Sequence, residues 1–96
     1  MEMDFFGRFH MKAGGEREFA QALDEVVVAS RKEPGCLEIH GYRSNRDGRL
    51  FYIHSRWKDE EAFEEHRRMA HTVKYLERVK DLSDQEPDLT RSERIC

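Results

Sequence analysis

The apolar positions along the chain follow two different periods, and their order predicts the secondary structure. From Met3 to Met11 every second residue is apolar or glycine, which is the pattern of a β-strand. After Gly14-Gly15 the period changes to about 3.6, so the segment from Glu16 to about Lys32 is predicted to be an α-helix. Its apolar stripe consists of Phe19, Ala22, Leu23, Val26, Val27 and Ser30.

The second half of the chain predicts a hairpin, a further helix and a last strand. Pro34-Gly35 ends the first helix, and the segments Cys36–Arg43 and Leu50–Trp57 then form two antiparallel strands around a turn rich in Asn, Asp and Gly. Asp59 is placed to cap a second, continuous helix. Leu89–Cys96 alternates weakly and is predicted to be a short strand. The second helix has the apolar stripe Ala62, Phe63, Met69, Ala70, Val73, Leu76 and Val79.

This order of elements is that of a ferredoxin-like βαββαβ fold. It predicts one α+β domain over residues 1–96, a four-stranded antiparallel sheet with both helices on one face. The strand residues that share one parity are strongly apolar, so we expect the helices to cover them. They are Met3, Phe5, Phe9, Met11, Leu37, Ile39, Phe51, Ile53 and Trp57.

The opposite face of the predicted sheet is too aromatic for an open solvated surface and too polar for the dry core of a monomer. We therefore expect a homodimer in which two sheets meet face to face. Its tyrosines and histidines are interpreted as interface side chains, namely His10, His40, Tyr42, Tyr52 and His54, and the same face carries Phe6, Cys36 and Leu50.

Composition limits the partners and the compartment. The 17 basic and 20 acidic side chains are interleaved and give a net charge of −3, which argues against nucleic acid or an anionic membrane as a partner. No apolar run approaches membrane-spanning length, and the first residues do not resemble a secretion signal. Cys36 and Cys96 lack the spacing of a disulfide framework. These features predict a soluble cytoplasmic protein with free thiols.

Two small residues mark a candidate pocket on the apolar face of the sheet. Gly7 and Ser55 stand where the other positions are large, and if the register brings them together they leave a gap beside Trp57. The alternative is that a bulky helix side chain fills this gap. The remaining predicted lining residues are Phe5, Phe9 and Phe63.

Two histidines and a tryptophan are the candidates for chemistry. His66 lies at the centre of the helix stripe and points at the sheet, either as a core imidazole or as a general base. On a continuous helix His71 faces solvent, and it reaches the pocket only if the helix breaks near Met69-Ala70. The Trp57 indole N–H needs an acceptor and can serve a ligand oxygen. Because the two histidines are five residues apart and no HExxH motif occurs, no metal site is predicted.

Three strings of residues resemble the antibiotic biosynthesis monooxygenase family. They are EPGCL from Glu33, YRSNRDGRLF from Tyr42, and W-x-DEEAFEEH from Trp57 with a second histidine five residues further on. The resemblance extends over Met3–Val79 and implies a dimeric α+β barrel. By position, Trp57, His66 and His71 match the strand-three tryptophan and the helix-two histidine pair of the family. The chain departs from the family at Ser55, where glutamate is common, and at Ala70, where proline is frequent.

The resemblance implies cofactor-independent monooxygenation of a small phenol or hydroquinone by O2. Deprotonation lets such a substrate donate an electron to O2 without flavin or metal, so a pocket, a base such as His66 and a donor such as Trp57 suffice. One alternative is an isomerase of a small sugar-like signalling molecule, with Arg67, Arg68 and Lys74 available for a phosphate. Another is a non-catalytic ligand-binding dimer, which Ser55 favours. Haem-degrading relatives carry an asparagine where Gly7 stands, so haem degradation is not expected.

Overall fold

A computed structural model describes all 96 residues and has the βαββαβ order with one helix divided in two. The strands form one antiparallel sheet in the order β2-β3-β1-β4. The predicted ferredoxin-like fold is therefore confirmed. The elements are β1 (Met3–His10), α1 (Glu16–Ser30), β2 (Cys36–Arg43), β3 (Leu50–Trp57), α2 (Glu60–Arg68), α3 (Ala70–Leu82) and β4 (Asp88–Ser92).

The strand boundaries agree closely with the hydrophobic pattern. β2 and β3 have the predicted limits, whereas β1 ends one residue earlier and Met11 forms a separate bridge with Ser83. β4 is shorter than predicted, since it begins one residue earlier, at Asp88, and ends four residues earlier, at Ser92. The central pair is β1 and β3, so the residues between sheet and helices at the middle of the domain come from these two strands.

The core lies between the sheet and the helices. α1 buries the same six residues that its periodicity predicted. Phe19 from this helix packs against Phe51 of β3 and Phe9 of β1, with ring centroids 4.9 and 5.7 Å apart. A smaller cluster joins Ala62 and Phe63 of α2 to Met3 and Trp57 of the sheet. Burial of these large apolar side chains is the main source of stability.

Leu37 does not lie on the helix-covered face, so that prediction is wrong. Its side chain is 43% exposed. Cys36 pairs with Trp57 and Glu38 pairs with Arg56, which leaves Leu37 as the additional residue of a β-bulge. The bulge interrupts the period of two and turns Cys36 towards the core, where it packs against both hydrophobic clusters.

The predicted second helix is two helices, α2 and α3. Asp59 caps α2 as expected, and its carboxylate accepts a hydrogen bond of 2.8 Å from the backbone N–H of Ala62. Met69 then has φ −66° and ψ 143°, an extended conformation that separates the two helices. None of the helices has the length and apolar composition that crossing a bilayer requires.

The break changes which side of the chain faces the sheet. Beyond α2 the predicted stripe is correct only at Val79, because one extended residue alters both the direction and the rotational phase of the helix that follows. Met69, Ala70, Val73 and Leu76 are exposed, whereas Thr72, Tyr75 and Val79 are the buried residues of α3.

The sheet face away from the helices is open in the single chain. Phe6, Tyr42 and Tyr52 are 50%, 53% and 39% exposed. His10 is different, because its ring nitrogens lie 2.6 Å from a carboxylate oxygen of Asp84 and 2.9 Å from one of Asp47. The interpretation of His10 as an interface side chain is therefore wrong, since the residue is buried and bonded within its own chain.

Candidate functional site

A cavity of about 220 Å³ lies between the sheet and the helices. Its wall is mainly apolar and includes three of the predicted lining residues, Phe5, Phe9 and Phe63. The polar side chains that line it are Ser55, His66, Arg67, Thr72, Tyr75 and Arg91. The gap beside β3 is therefore present, and a helix side chain does not fill it.

Gly7, by contrast, does not line the cavity. In the observed register Gly7 pairs with Ile53, and Ser55 pairs with Phe5. A Cβ atom at Gly7 would lie 2.8 Å from side-chain atoms of Ile53 and Phe9, so these side chains already occupy the space above the glycine. The register differs by two residues from the one that would place Gly7 opposite Ser55. Gly7 thus serves the close packing of the sheet.

Trp57 lies behind the cavity wall. It is fully buried, and its Nε1–H donates a hydrogen bond of 2.9 Å to Oγ of Ser55. The centroid of its ring is 4.4 Å from that of His66. The indole therefore supports two residues of the wall, and its N–H is already used within the protein. Ser55 retains its own O–H as a donor at the cavity.

Glu33 brings the two histidines together. Its Oε2 lies 2.8 Å from Nδ1 of His66 and 2.8 Å from Nε2 of His71. The Glu33 side chain is 7% exposed, and those of His66 and His71 are 10% and 28% exposed. Thr72 adds its hydroxyl 3.3 Å from Nδ1 of His66. The broken helix, formed although residue 70 is alanine, turns His71 inward onto this carboxylate.

Glu33 was not among the predicted site residues. It lies in the link between α1 and β2, 33 residues before His66 in the chain, and nothing in the local pattern points to its partner. The available signal was the string EPGCL, of which Glu33 is the first residue.

The surroundings of His66 favour its neutral form. Burial lowers the pKa of His66 below its ordinary value, and the nearby His71 lowers it further, while Glu33 raises it and only partly offsets the burial. A carboxylate accepts hydrogen bonds, so Nδ1 of His66 carries the proton and Nε2 carries the lone pair. Nε2 forms no hydrogen bond, and the ring is part of the cavity wall.

The types of donor in Glu33, His66 and His71 are those that hold a divalent metal, and their ligand atoms lie within 4.8 Å of one another. The premise that five-residue spacing keeps the two imidazoles apart is thus wrong, because the helix is broken. Both nitrogens nevertheless lie 2.8 Å from one oxygen, a hydrogen-bond distance. Ligands of a tetrahedral ion, each about 2.0–2.2 Å from it, are separated by more than roughly 3 Å. The observed distances of 2.8 Å are therefore those of hydrogen bonds and are shorter than the separation between ligands of such an ion.

Cys36 is not an activated nucleophile. Burial raises the pKa of its thiol, and the charge of Glu33 raises it further. The thiol therefore stays protonated near neutral pH, and the thiolate is the reactive form.

The fold and the cavity define a class of protein, a ferredoxin-like α+β domain with a cavity beside a histidine. Residues 6–78 match the sequence profile described as antibiotic biosynthesis monooxygenase. The chain belongs to this family. No curated protein sequence matches it.

Solved structures show the same fold at low sequence identity. Rv0793 from Mycobacterium tuberculosis has a TM-score of 0.93 and 22% identity, covering 100% of this chain and 97% of its own. PA3566 from Pseudomonas aeruginosa has a TM-score of 0.91 and 23% identity, with coverage of 99% and 95%. A protein named antibiotic biosynthesis monooxygenase has a TM-score of 0.92 and 17% identity, with coverage of 98% and 99%.

Proposed function

We propose that this protein is a cofactor-independent monooxygenase that oxidises a small phenol or hydroquinone with O2. The observation that carries the proposal is His66, a neutral imidazole with an unbonded Nε2 in the wall of an apolar cavity. An imidazole in this state is a suitable general base near neutral pH. Membership of the monooxygenase family supports the same reaction class.

The reaction needs no external reductant. Nε2 of His66 takes the hydroxyl proton, and the resulting phenolate donates one electron to O2. The two radicals combine to form a C–O bond at a ring carbon that carries hydrogen and lies ortho or para to the hydroxyl, and His66 returns its proton to the peroxide. Loss of the hydrogen on that carbon as a proton makes a carbonyl, breaks the O–O bond and releases hydroxide, which takes up the proton. The phenol and O2 thus yield a quinone and water.

Hydroxyl groups in the cavity wall can donate hydrogen bonds to the negative charge that develops on the substrate oxygen. Ser55 accepts the indole N–H of Trp57 and keeps its own O–H free to donate, and Thr72 lines the same cavity. Hydrogen-bond donors fixed in a water-poor site stabilise an oxyanion more strongly than water does. Ser55 therefore takes the donor role that the sequence suggested for Trp57.

The size of the cavity limits the substrate. A cavity of about 150 Å³ in another protein holds benzene, and pockets for drug-sized ligands begin at about 300 Å³. The present volume of about 220 Å³ therefore suits one ring or two fused rings. Larger polycyclic phenols exceed this volume.

Oxygen uptake by the metal-free protein tests the proposal. We expect uptake above autoxidation with hydroquinones and naphthols, and none with the three-ring anthrone. The variant His66→Ala loses this uptake, whereas Lys80→Ala, at an exposed position of α3, keeps it. Equal uptake by His66→Ala and the parent protein, or uptake no faster than autoxidation for every substrate, rules out the proposed reaction.

The isomerase alternative has weaker support. Of the three basic residues considered for a phosphate, only Arg67 lines the cavity, and it forms a 3.0 Å hydrogen bond with Glu64. Lys74 lies 4.0 Å from Glu25 on a different surface. Arg91 also lines the cavity and pairs with Glu60 and Glu64. No uncompensated group of cations thus borders the cavity.

We also propose that the protein works as a homodimer. The open sheet face exposes Phe6, Tyr42 and Tyr52, and an apolar aromatic surface of this kind is typical of an interface between subunits. Sedimentation equilibrium at micromolar concentration is expected to give twice the mass of 11.5 kDa. A monomer under these conditions contradicts the proposal.

A further inference from the structure

One carboxylate oxygen of Glu33 lies within hydrogen-bond distance of two histidines. His66 is in the cavity wall, whereas His71 borders a groove at the surface. We propose that Glu33 is the positioning residue of the site and that it couples His66 to His71, so that a proton on His71 keeps His66 neutral. The catalytic meaning of this coupling rests on the proposed monooxygenase reaction. The coupling itself depends only on the geometry of the three side chains.

Glu33 fixes the orientation of His66. The 2.8 Å hydrogen bond from Nδ1–H holds the ring with Nε2 away from the carboxylate, and Trp57 packs at 4.4 Å against the ring. The position of Glu33 is itself constrained, because its backbone N–H donates to Ser30 and its carbonyl accepts from the N–H of Cys36. A rigid turn therefore presents the carboxylate to the base.

The negative charge of Glu33 can compensate only one additional proton on the two histidines. Glu33 carries one negative charge and is almost completely buried. The first imidazolium formed beside it is compensated, but a second would be an unpaired charge in a poorly solvated site. Protonation of one histidine therefore opposes protonation of the other, and the two titrate as a coupled pair.

Exposure decides which histidine takes that proton. His66 is 10% exposed and packs against aromatic rings, so charging it costs desolvation energy. His71 is 28% exposed and borders a groove between α1 and α3. The additional proton therefore costs less desolvation energy on His71, where it also compensates Glu33. As the pH falls, His66 stays neutral and remains able to act as a base.

The other charged groups nearby do not disturb this order. In the groove beside His71, Glu18 of α1 pairs with Arg78 of α3 at 3.1 Å, and Glu25 of α1 lies 4.0 Å from Lys74 of α3. On the side of His66, Arg67 pairs with Glu64. Glu33 is thus the one carboxylate that contacts either imidazole.

Titration of the ¹⁵N-labelled histidines by NMR, in the presence of a chelator, tests the coupling directly. In the parent protein His71 is expected to gain its proton at the higher pH, with His66 still neutral and protonated at Nδ1. His71→Gln keeps an N–H donor for Glu33 but cannot titrate. In this variant the midpoint of His66 is expected to rise by about one pH unit or more.

Two further variants complete the test. Glu33→Gln removes the charge that stabilises the imidazolium, so the midpoint of His66 falls. His40→Gln, on the opposite face of the sheet, leaves His66 unchanged. The coupling is refuted if His71→Gln does not move the titration of His66, or if His66 titrates before His71 in the parent protein.

Oxygen uptake as a function of pH separates this inference from the proposed function. The acid limb of the rate is expected to move to higher pH in His71→Gln and to lower pH in Glu33→Gln. Shifted NMR titrations without uptake in any protein leave the coupling standing and refute the monooxygenase reaction. If oxygen is taken up, but neither the pH profile of the rate nor the NMR titration of His66 differs between His71→Gln and the parent protein, only the coupling is refuted.

Discussion

Replacing Ala70 by proline tests the break between α2 and α3, on which the candidate site depends. The Ala70 side chain is exposed, so the substitution removes no core packing. Its backbone N–H makes no hydrogen bond with the preceding turn. The bonds at this point run from the N–H of Met69 to the carbonyl of His66, and from the N–H groups of Thr72 and Val73 to the carbonyl of Met69. Proline thus removes no donor that the structure uses.

The backbone conformation of Met69 determines whether Ala70→Pro stabilises or destabilises the protein. Met69 has φ −66° and ψ 143°, within the extended region that a residue before proline prefers. Proline at the first position of a helix costs nothing in hydrogen bonding. Because proline restricts the unfolded chain, we expect Ala70→Pro to increase the free energy of unfolding by about 0.4–1 kcal/mol. This increase corresponds to roughly 2–8 °C in Tm for a domain of this size.

Urea unfolding followed by circular dichroism measures the change. If residues 60–82 formed one continuous helix, the same substitution would cost about 3 kcal/mol or more, so the two structures predict opposite signs. Glu77→Pro, at an exposed position within α3, is the matched control and is expected to show that loss. A loss of about 2 kcal/mol or more for Ala70→Pro would refute the break, and with it the inward position of His71.

Three other substitutions test separate contacts. Tyr75→Phe removes a buried hydroxyl that has no hydrogen-bond partner, so unfolding in urea should show an increase of about 1 kcal/mol in stability; a loss would show that the hydroxyl is bonded. His10 has its pKa raised by hydrogen bonds to two carboxylates, so its contribution to stability is complete below the unfolded pKa of about 6.5 and is lost as the pH rises through the folded pKa. Urea midpoints should therefore fall over that range in the parent but not in His10→Gln, and parallel curves would contradict this. Ser55→Ala leaves the buried indole N–H of Trp57 unpaired and should cost about 1–3 kcal/mol in the same assay, whereas an unchanged midpoint would show that the bond does not contribute.

The local pattern of the chain predicted most of the fold. The six buried residues of α1 and the limits of β2 and β3 follow directly from periodicity, because the direction of each side chain within a regular element depends only on its position in that element. The cap at Asp59 is local for the same reason. The strings around Glu33 and Trp57 were sufficient to indicate the family.

The pattern failed where the regular geometry is interrupted. The bulge at Leu37 reverses the facing of Cys36 and Leu37, and the break at Met69 changes the rotational phase of the helix that follows. Neither position carries proline or glycine, so no local signal marked it. The same limit applies to Gly7, whose neighbours depend on the register between strands 46 residues apart in the chain.

By itself, the sequence determined the class of fold, the family and the placement of His66 on an inward face. Only the tertiary structure decided that His66 and His71 share Glu33, that Ser55 binds the indole of Trp57, and that a cavity remains beside them. Contacts within one helix or strand are fixed by a short repeat. The contacts that build this site join three separate segments, and they arise only when the sheet and the broken helix pack together.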